Sequence, residues 1–215
     1  MLKRLILFSS LGLLSLSTFA QKAKVREATR ELNAAIEARA KQDSNKEKES
    51  LKKAISAIDE ATKHEKTKDN SDTWLTKAEI HINLNHNKDL QSHENTYEAT
   101  KALEKAVALD EKVMRNPGYP QLKFQLGVDY YNIAVQAYQA SDYKKAFEQF
   151  DEVKNTLKEE RKNMFKDLPM VDTVRSQSSL LQGYAAFYAE KNDDAIAIFQ
   201  EAKNDPIVNQ DPNIY

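Results

Sequence analysis

His81, His86 and His93, with Asp89 and Glu94 beside them, form the one cluster of metal-ligating residue types in this 215-residue sequence. Neutral imidazoles and carboxylates in and around a loop are the ligands zinc or nickel takes. The spacing fits no tight motif such as H-E-x-x-H, which sets two imidazoles one helical turn apart on one face. The stretch therefore reads as a solvated polar insertion, with metal or small-ligand binding through the His81/His86/His93 loop as the alternative function. Ser50-Leu51-Lys52-Lys53 spells S-x-x-K. That chemistry needs a buried lysine to activate the serine, and this lysine follows Lys46, Glu47, Lys48 and Glu49 on a charged helix start. The pairs Glu159-Glu160 and Asp193-Asp194 belong on polar faces or caps, where a carboxylate is solvated. With four glycines there is no phosphate-cradling loop, and with no cysteine there is no thiol nucleophile, zinc-thiolate site or disulfide. No nucleophile, base and oxyanion donor come together. The expectation is a protein that is not an enzyme and carries no cofactor.

The composition says what must position these side chains. Glycine and proline are scarce, hydrophobic residues make up 40% and charged residues 30%. The abundant residues, Ala, Leu, Lys, Glu and Gln, lose least on entering a helix, so the chain should be all-α. The net charge is −1, and without Lys3 and Arg4 there remain 30 basic against 33 acidic side chains. A nucleic-acid partner would require a basic excess.

Residues 1–20 carry Lys3 and Arg4, then an apolar run from Leu5 to Leu16, then the small residues Thr18 and Ala20 before Gln21. This is the pattern of a secretory signal peptide. It predicts an exported protein, periplasmic or extracellular, with a mature helical domain over 21–215. No later stretch is apolar enough to span a bilayer, so no membrane span is expected in the mature chain.

Amphipathic spacing predicts helices over residues 25–40, then around Leu51 to Ala61, from about Thr73 to Ile82, 97–113, 121–140, 143–162, 173–190 and 193–202. Ser71 or Asp72 is the expected cap of the third. Residues 83–95 read as a loop, and Asn116-Pro117-Gly118-Tyr119-Pro120 is the strongest breaker. A small–large–small pattern recurs at Ala54/Ile58/Ala61, Ala99/Leu103/Ala106, Ala146/Phe150/Val153 and Ala195/Phe199/Ala202, with starts 45, 47 and 49 residues apart. Each triple suits the second helix of a pair, where small residues admit the partner helix and the large one fills the groove.

Tyr130-Tyr131-Asn132-Ile133-Ala134, then Tyr138, Ser141-Asp142-Tyr143, Ala146 and Phe150, resembles one unit of the tetratricopeptide repeat (TPR) family. The last unit resembles it through Gly183, Ala195, Phe199 and Ala202, with Pro206 near the closing proline. The unit at Trp74 resembles it through Ala78, Ala99, Leu103, Ala106 and Leu109-Asp110, with an insertion between its helices. The first unit keeps only its second helix clearly. The resemblance covers most of residues 50–206, and its period exceeds the family's usual one of about 34 residues. It implies a TPR-like array of antiparallel helix pairs, an α-α superhelix of about four pairs. It also implies a groove that binds a peptide or partner helix through Tyr131, Tyr138, Tyr184, Phe187 and Tyr188, with Tyr131 and Tyr184 the more exposed. The implied function is a non-enzymatic protein–protein interaction scaffold of the bacterial cell envelope. Asp211-Pro212-Asn213-Ile214-Tyr215 resembles the start of another repeat, which makes self-association through the C-terminal repeat a further expectation.

Overall fold

The structure, a computed structural model, describes residues 23–205 and 207–208. The expected leader at 1–20, Pro206 and residues 211–215 lie outside the described residues. Among the described residues there are eight α-helices and no strand. They are α1 (23–40), α2 (Ser44–Lys63), α3 (Ser71–Asn85), α4 (His93–Leu109), α5 (Tyr119–Gln139), α6 (Tyr143–Thr156), α7 (Met170–Tyr188) and α8 (Asn192–Ala202), with a 3-10 helix at Glu111–Arg115. The fold is an all-α array of four consecutive helix pairs. The chain divides into one unit ending at Asn116 and a second starting at Pro117, inside the breaker read from the sequence.

Side chains that satisfy orphan backbone donors set the helix starts, each cap contributing about 1 kcal/mol. Asp43 accepts from Lys46 N, Ser92 from Glu94 N and Asp142 from Lys145 N. The cap of α3 is Asn70, which accepts from Asp72 N at 2.8 Å, and not the expected Ser71 or Asp72. Gly118 precedes α5, and Pro120 occupies its first turn, where a missing N–H costs nothing.

Two expected loops are redrawn. Helix α3 runs on to Asn85 and α4 starts at His93, which leaves 86–92 as the link instead of 83–95. Asparagines close that link. Asn85 Oδ1 accepts from Ser92 N and Asn95 Nδ2, Asn95 Nδ2 also donates to Leu90 O, and the buried Asn87 accepts from Asp89 N. Helix α6 stops at Thr156, short of the expected 162. Arg175 donates from Nε to Leu157 O at 3.0 Å, and from Nη2 to the same oxygen. Beyond it Glu160 leaves the helical path and accepts from Tyr119 Oη at 2.7 Å and Lys123 Nζ at 3.0 Å. Burial first, and Glu160 second, hold the Tyr119 hydroxyl far above the usual phenol range, so it stays a donor.

Three of the four pairs turn the same corner. Gln42, Ser141 and Glu190 have φ of 59°, 61° and 61°, the left-handed conformation that ends a helix. The next residue then donates back five positions, from Asp43 N to Ala38 O, Asp142 N to Ala137 O and Lys191 N to Ala186 O, each at 2.9 Å. Counted from that corner, Glu47/Leu51/Ala54 aligns with Ala146/Phe150/Val153 and Ala195/Phe199/Ala202. The triple chosen from sequence, Ala54/Ile58/Ala61, is fully buried but lies seven residues further along α2. Glu47 hides the register because it stands where the other units have alanine. It is buried, with Oε1 2.7 Å from Arg39 Nε. The same register supplies the first helix of the first pair: Ala35 and Ala38 of α1 match Ala134 and Ala137 of α5, and Gly183 and Ala186 of α7.

Small residues set how closely helices approach. A Cβ on Gly127 would lie 2.6 Å from Leu157, and one on Gly183 2.6 Å from Phe199. The first unit's core is Ala28, Leu32, Ala35, Leu51, Ala54 and Ile58 with their neighbours, and one core of the second gathers around Phe150, Ala134 and Ala185.

Candidate partner-binding surface

The five residues read as a groove split into two groups. Tyr131 packs edge-on against Phe150 at 6.0 Å and joins the core around it. Tyr184 packs edge-on against Phe199 at 5.1 Å. Both are half-buried, so the expectation that they are the more exposed does not hold. The reason is geometric: each faces the large residue of its partner helix, the pairing that closes a helix pair.

Tyr138, Phe187 and Tyr188 come together at the corner end of the second unit. Tyr138 is the penultimate residue of α5, and Phe187 and Tyr188 close α7. A residue outside the sequence-derived set joins them: Tyr143, the first residue of α6. Tyr143 stacks on Tyr188 with centroids 4.9 Å apart and an interplanar angle of 28°. Tyr138 stands edge-on to Tyr143 at 5.3 Å and to Tyr188 at 6.2 Å, and Phe187 edge-on to Tyr188 at 5.4 Å. Such pairs contribute about 0.5–1.5 kcal/mol each beyond area burial, enough to preorganise the rings. Phe187 and Tyr188 nonetheless keep 56% and 51% of their surface exposed. Burial, and then the neighbouring tyrosines, raise the Tyr138 hydroxyl above the usual phenol value, so it remains a neutral donor. Beside the rings, the Lys191 ammonium lies 4.5 Å from the Phe147 centroid and 3.7 Å from Asp194.

The arrangement is a ledge of preformed apolar faces with polar tips. It offers contact area at low entropy cost. Tyr143 was findable: it follows Tyr138 by five residues across Ser141-Asp142, and a tight helical corner brings those positions together.

The three imidazoles are engaged separately. His81 is buried on α3 with Nδ1 3.4 Å from Asn95 Oδ1. His86 caps α3 with Nδ1 3.1 Å from Arg39 Nη1. His93 is an exposed first residue of α4. Among the described residues no three His, Cys, Asp or Glu side chains converge on a site for a metal ion, and no helix is long and apolar enough to cross a membrane. No family model, curated protein or solved structure matches this chain.

Proposed function

We propose that this chain is a non-enzymatic, TPR-like interaction scaffold, exported to the bacterial cell envelope, that holds a peptide or partner helix of another protein on the ring ledge of its second unit. The observation that carries the reading is the pair Phe187 and Tyr188, large rings half in solvent and propped by Tyr138 and Tyr143. Exposed aromatics fixed by neighbouring rings are the residue types that dominate partner contacts, because little freedom is lost when they are covered. The shared corners at Gln42, Ser141 and Glu190 support the repeat reading, and the leader pattern at 1–20 supports export.

Covering one such ring contributes about 1.5–3 kcal/mol, or about 10–150-fold in affinity. The test is capture of a discrete envelope protein by the mature chain, compared with Phe187→Ser and Tyr188→Ser. The variants should keep the parent's helical circular dichroism and lose at least about tenfold in affinity. Equal binding by both variants would remove the ledge as the site.

A further inference from the structure

All four histidines of the chain, His64, His81, His86 and His93, belong to the first unit, and none to the second. Two of them sit where an added proton has no partner. The Arg39 guanidinium is the donor in every contact it makes. It donates from Nε to Glu47 Oε1 at 2.7 Å, from Nη1 to Asn83 Oδ1 at 3.0 Å and from Nη2 to Asn83 O at 3.1 Å. Its Nη1 also lies 3.1 Å from His86 Nδ1, which must therefore accept and stay unprotonated. This clasp fastens the corner between α1 and α2 to the end of α3. A proton on His86 Nδ1 would set an N–H and a positive ring against a permanent cation. The one carboxylate nearby, Glu47, is already taken by Arg39.

His81 reaches the same condition by another route. The Asn95 amide is oriented by its Nδ2, which donates to Leu90 O and Asn85 Oδ1. Its Oδ1 therefore faces His81 Nδ1, which donates. That leaves Nε2 as the bare nitrogen of the neutral ring, and it is buried with no partner. A proton there creates a buried N–H without an acceptor. Lys77 on α3 adds repulsion. Asp59 of α2 and Glu98 of α4 draw the proton the other way, but both lie on the Lys77 ammonium, at 3.0 and 3.6 Å. Burial first, then the neighbouring cation, holds both rings below the ordinary histidine value of 6.5. At these two rings the opened state binds more protons than the closed one; the Glu79 carboxyl, also on α3, has the opposite sign, because burial pushes it up. The stability is complete above the ordinary value and is lost as pH falls through the depressed folded values.

We infer that α3 is an acid-releasable element: protons taken up by His81 and His86 undo the Arg39 clasp and loosen α3 and α4 from α1 and α2, while the histidine-free second unit stays folded. Trp74 is the one tryptophan of the chain and lies on α3, with Nε1 donating to Lys68 O at 2.6 Å, so its emission reports on this element. The experiment follows Trp74 emission and amide exchange of α3 in the whole chain from about pH 7.5 to about pH 5, with exchange corrected for its intrinsic chemistry. The opening constant of α3 should rise by up to about tenfold per pH unit for each proton taken up, with α5–α8 unchanged. His86→Gln, which keeps an acceptor toward Arg39, should remove one proton from that dependence. His81→Leu with His86→Gln should abolish the rise on acidification and leave only the opposite, closing trend of Glu79. His64→Gln with His93→Gln should leave the rise intact. A flat response of α3 in the parent would overturn the inference, as would an opening that still rises toward acid in the His81→Leu, His86→Gln double variant. If the His81 variant does not fold, an unchanged steepness in His86→Gln alone is enough to reject it.

Discussion

Tyr131 and Phe187 are both aromatic residues on the first helix of a pair, yet they do opposite work. Tyr131 spends its ring on Phe150 and the core beneath it, while Phe187 leaves 56% of its surface in solvent. Tyr131→Ala should therefore cost about 2–4 kcal/mol, somewhat below the figure for a fully buried ring because Tyr131 is half-buried. Phe187→Ala should cost less than about 1 kcal/mol, since little of its burial is lost. Urea denaturation of the two variants separates them, and equal losses would contradict the division between core ring and ledge ring. Residue types alone did not make this division. Which aromatic faces the partner helix depends on a rotation of one or two positions along α5 and α7, and that is fixed only once the corners are placed. The same corner brings Tyr143 onto Tyr188, a contact that no single-helix pattern contains.

The corners are the most regular feature at the scale of elements. Each holds a residue with a Cβ in the left-handed region, which costs about 1–2 kcal/mol relative to glycine's freedom there. Glycine gives back about 0.5–1 kcal/mol through its greater entropy in the unfolded chain. Ser141→Gly should thus raise stability by roughly 0.5–1 kcal/mol, read as a higher denaturation midpoint at unchanged slope. Destabilisation there would mean the corner is held by the side chain and not by the backbone. Helix positions were legible from the spacing of Ala and Leu, because a buried stripe repeats every turn. Helix ends were less so. The end of α6 is set by Arg175 and the link after α3 by an asparagine network, both long-range or side-chain contacts outside any amphipathic pattern. The register of the first pair was hidden by one residue, the buried Glu47, whose charge is tolerated because Arg39 answers it.

At the scale of the molecule, the two units carry different chemistry on one architecture. The first holds every histidine and the Arg39 clasp; the second holds the ring ledge. The all-α class was readable from composition, and the breaker at Asn116-Pro117-Gly118 from punctuation, since scarce glycine and proline make each occurrence informative; that the chain divides into two units there was not, because one helical domain over 21–215 was the expectation. The ledge was only half readable. Three of its four rings were named from sequence, but beside two that the structure places in packing. The most direct test of the proposed scaffold is a hydrogen-exchange footprint of the mature chain with and without its captured partner. The account predicts new protection at the end of α5, the start of α6 and the segment from Phe187 into α8, with the first unit unchanged. Protection confined to the first unit, or to Tyr131 and the middle of α5, would contradict it.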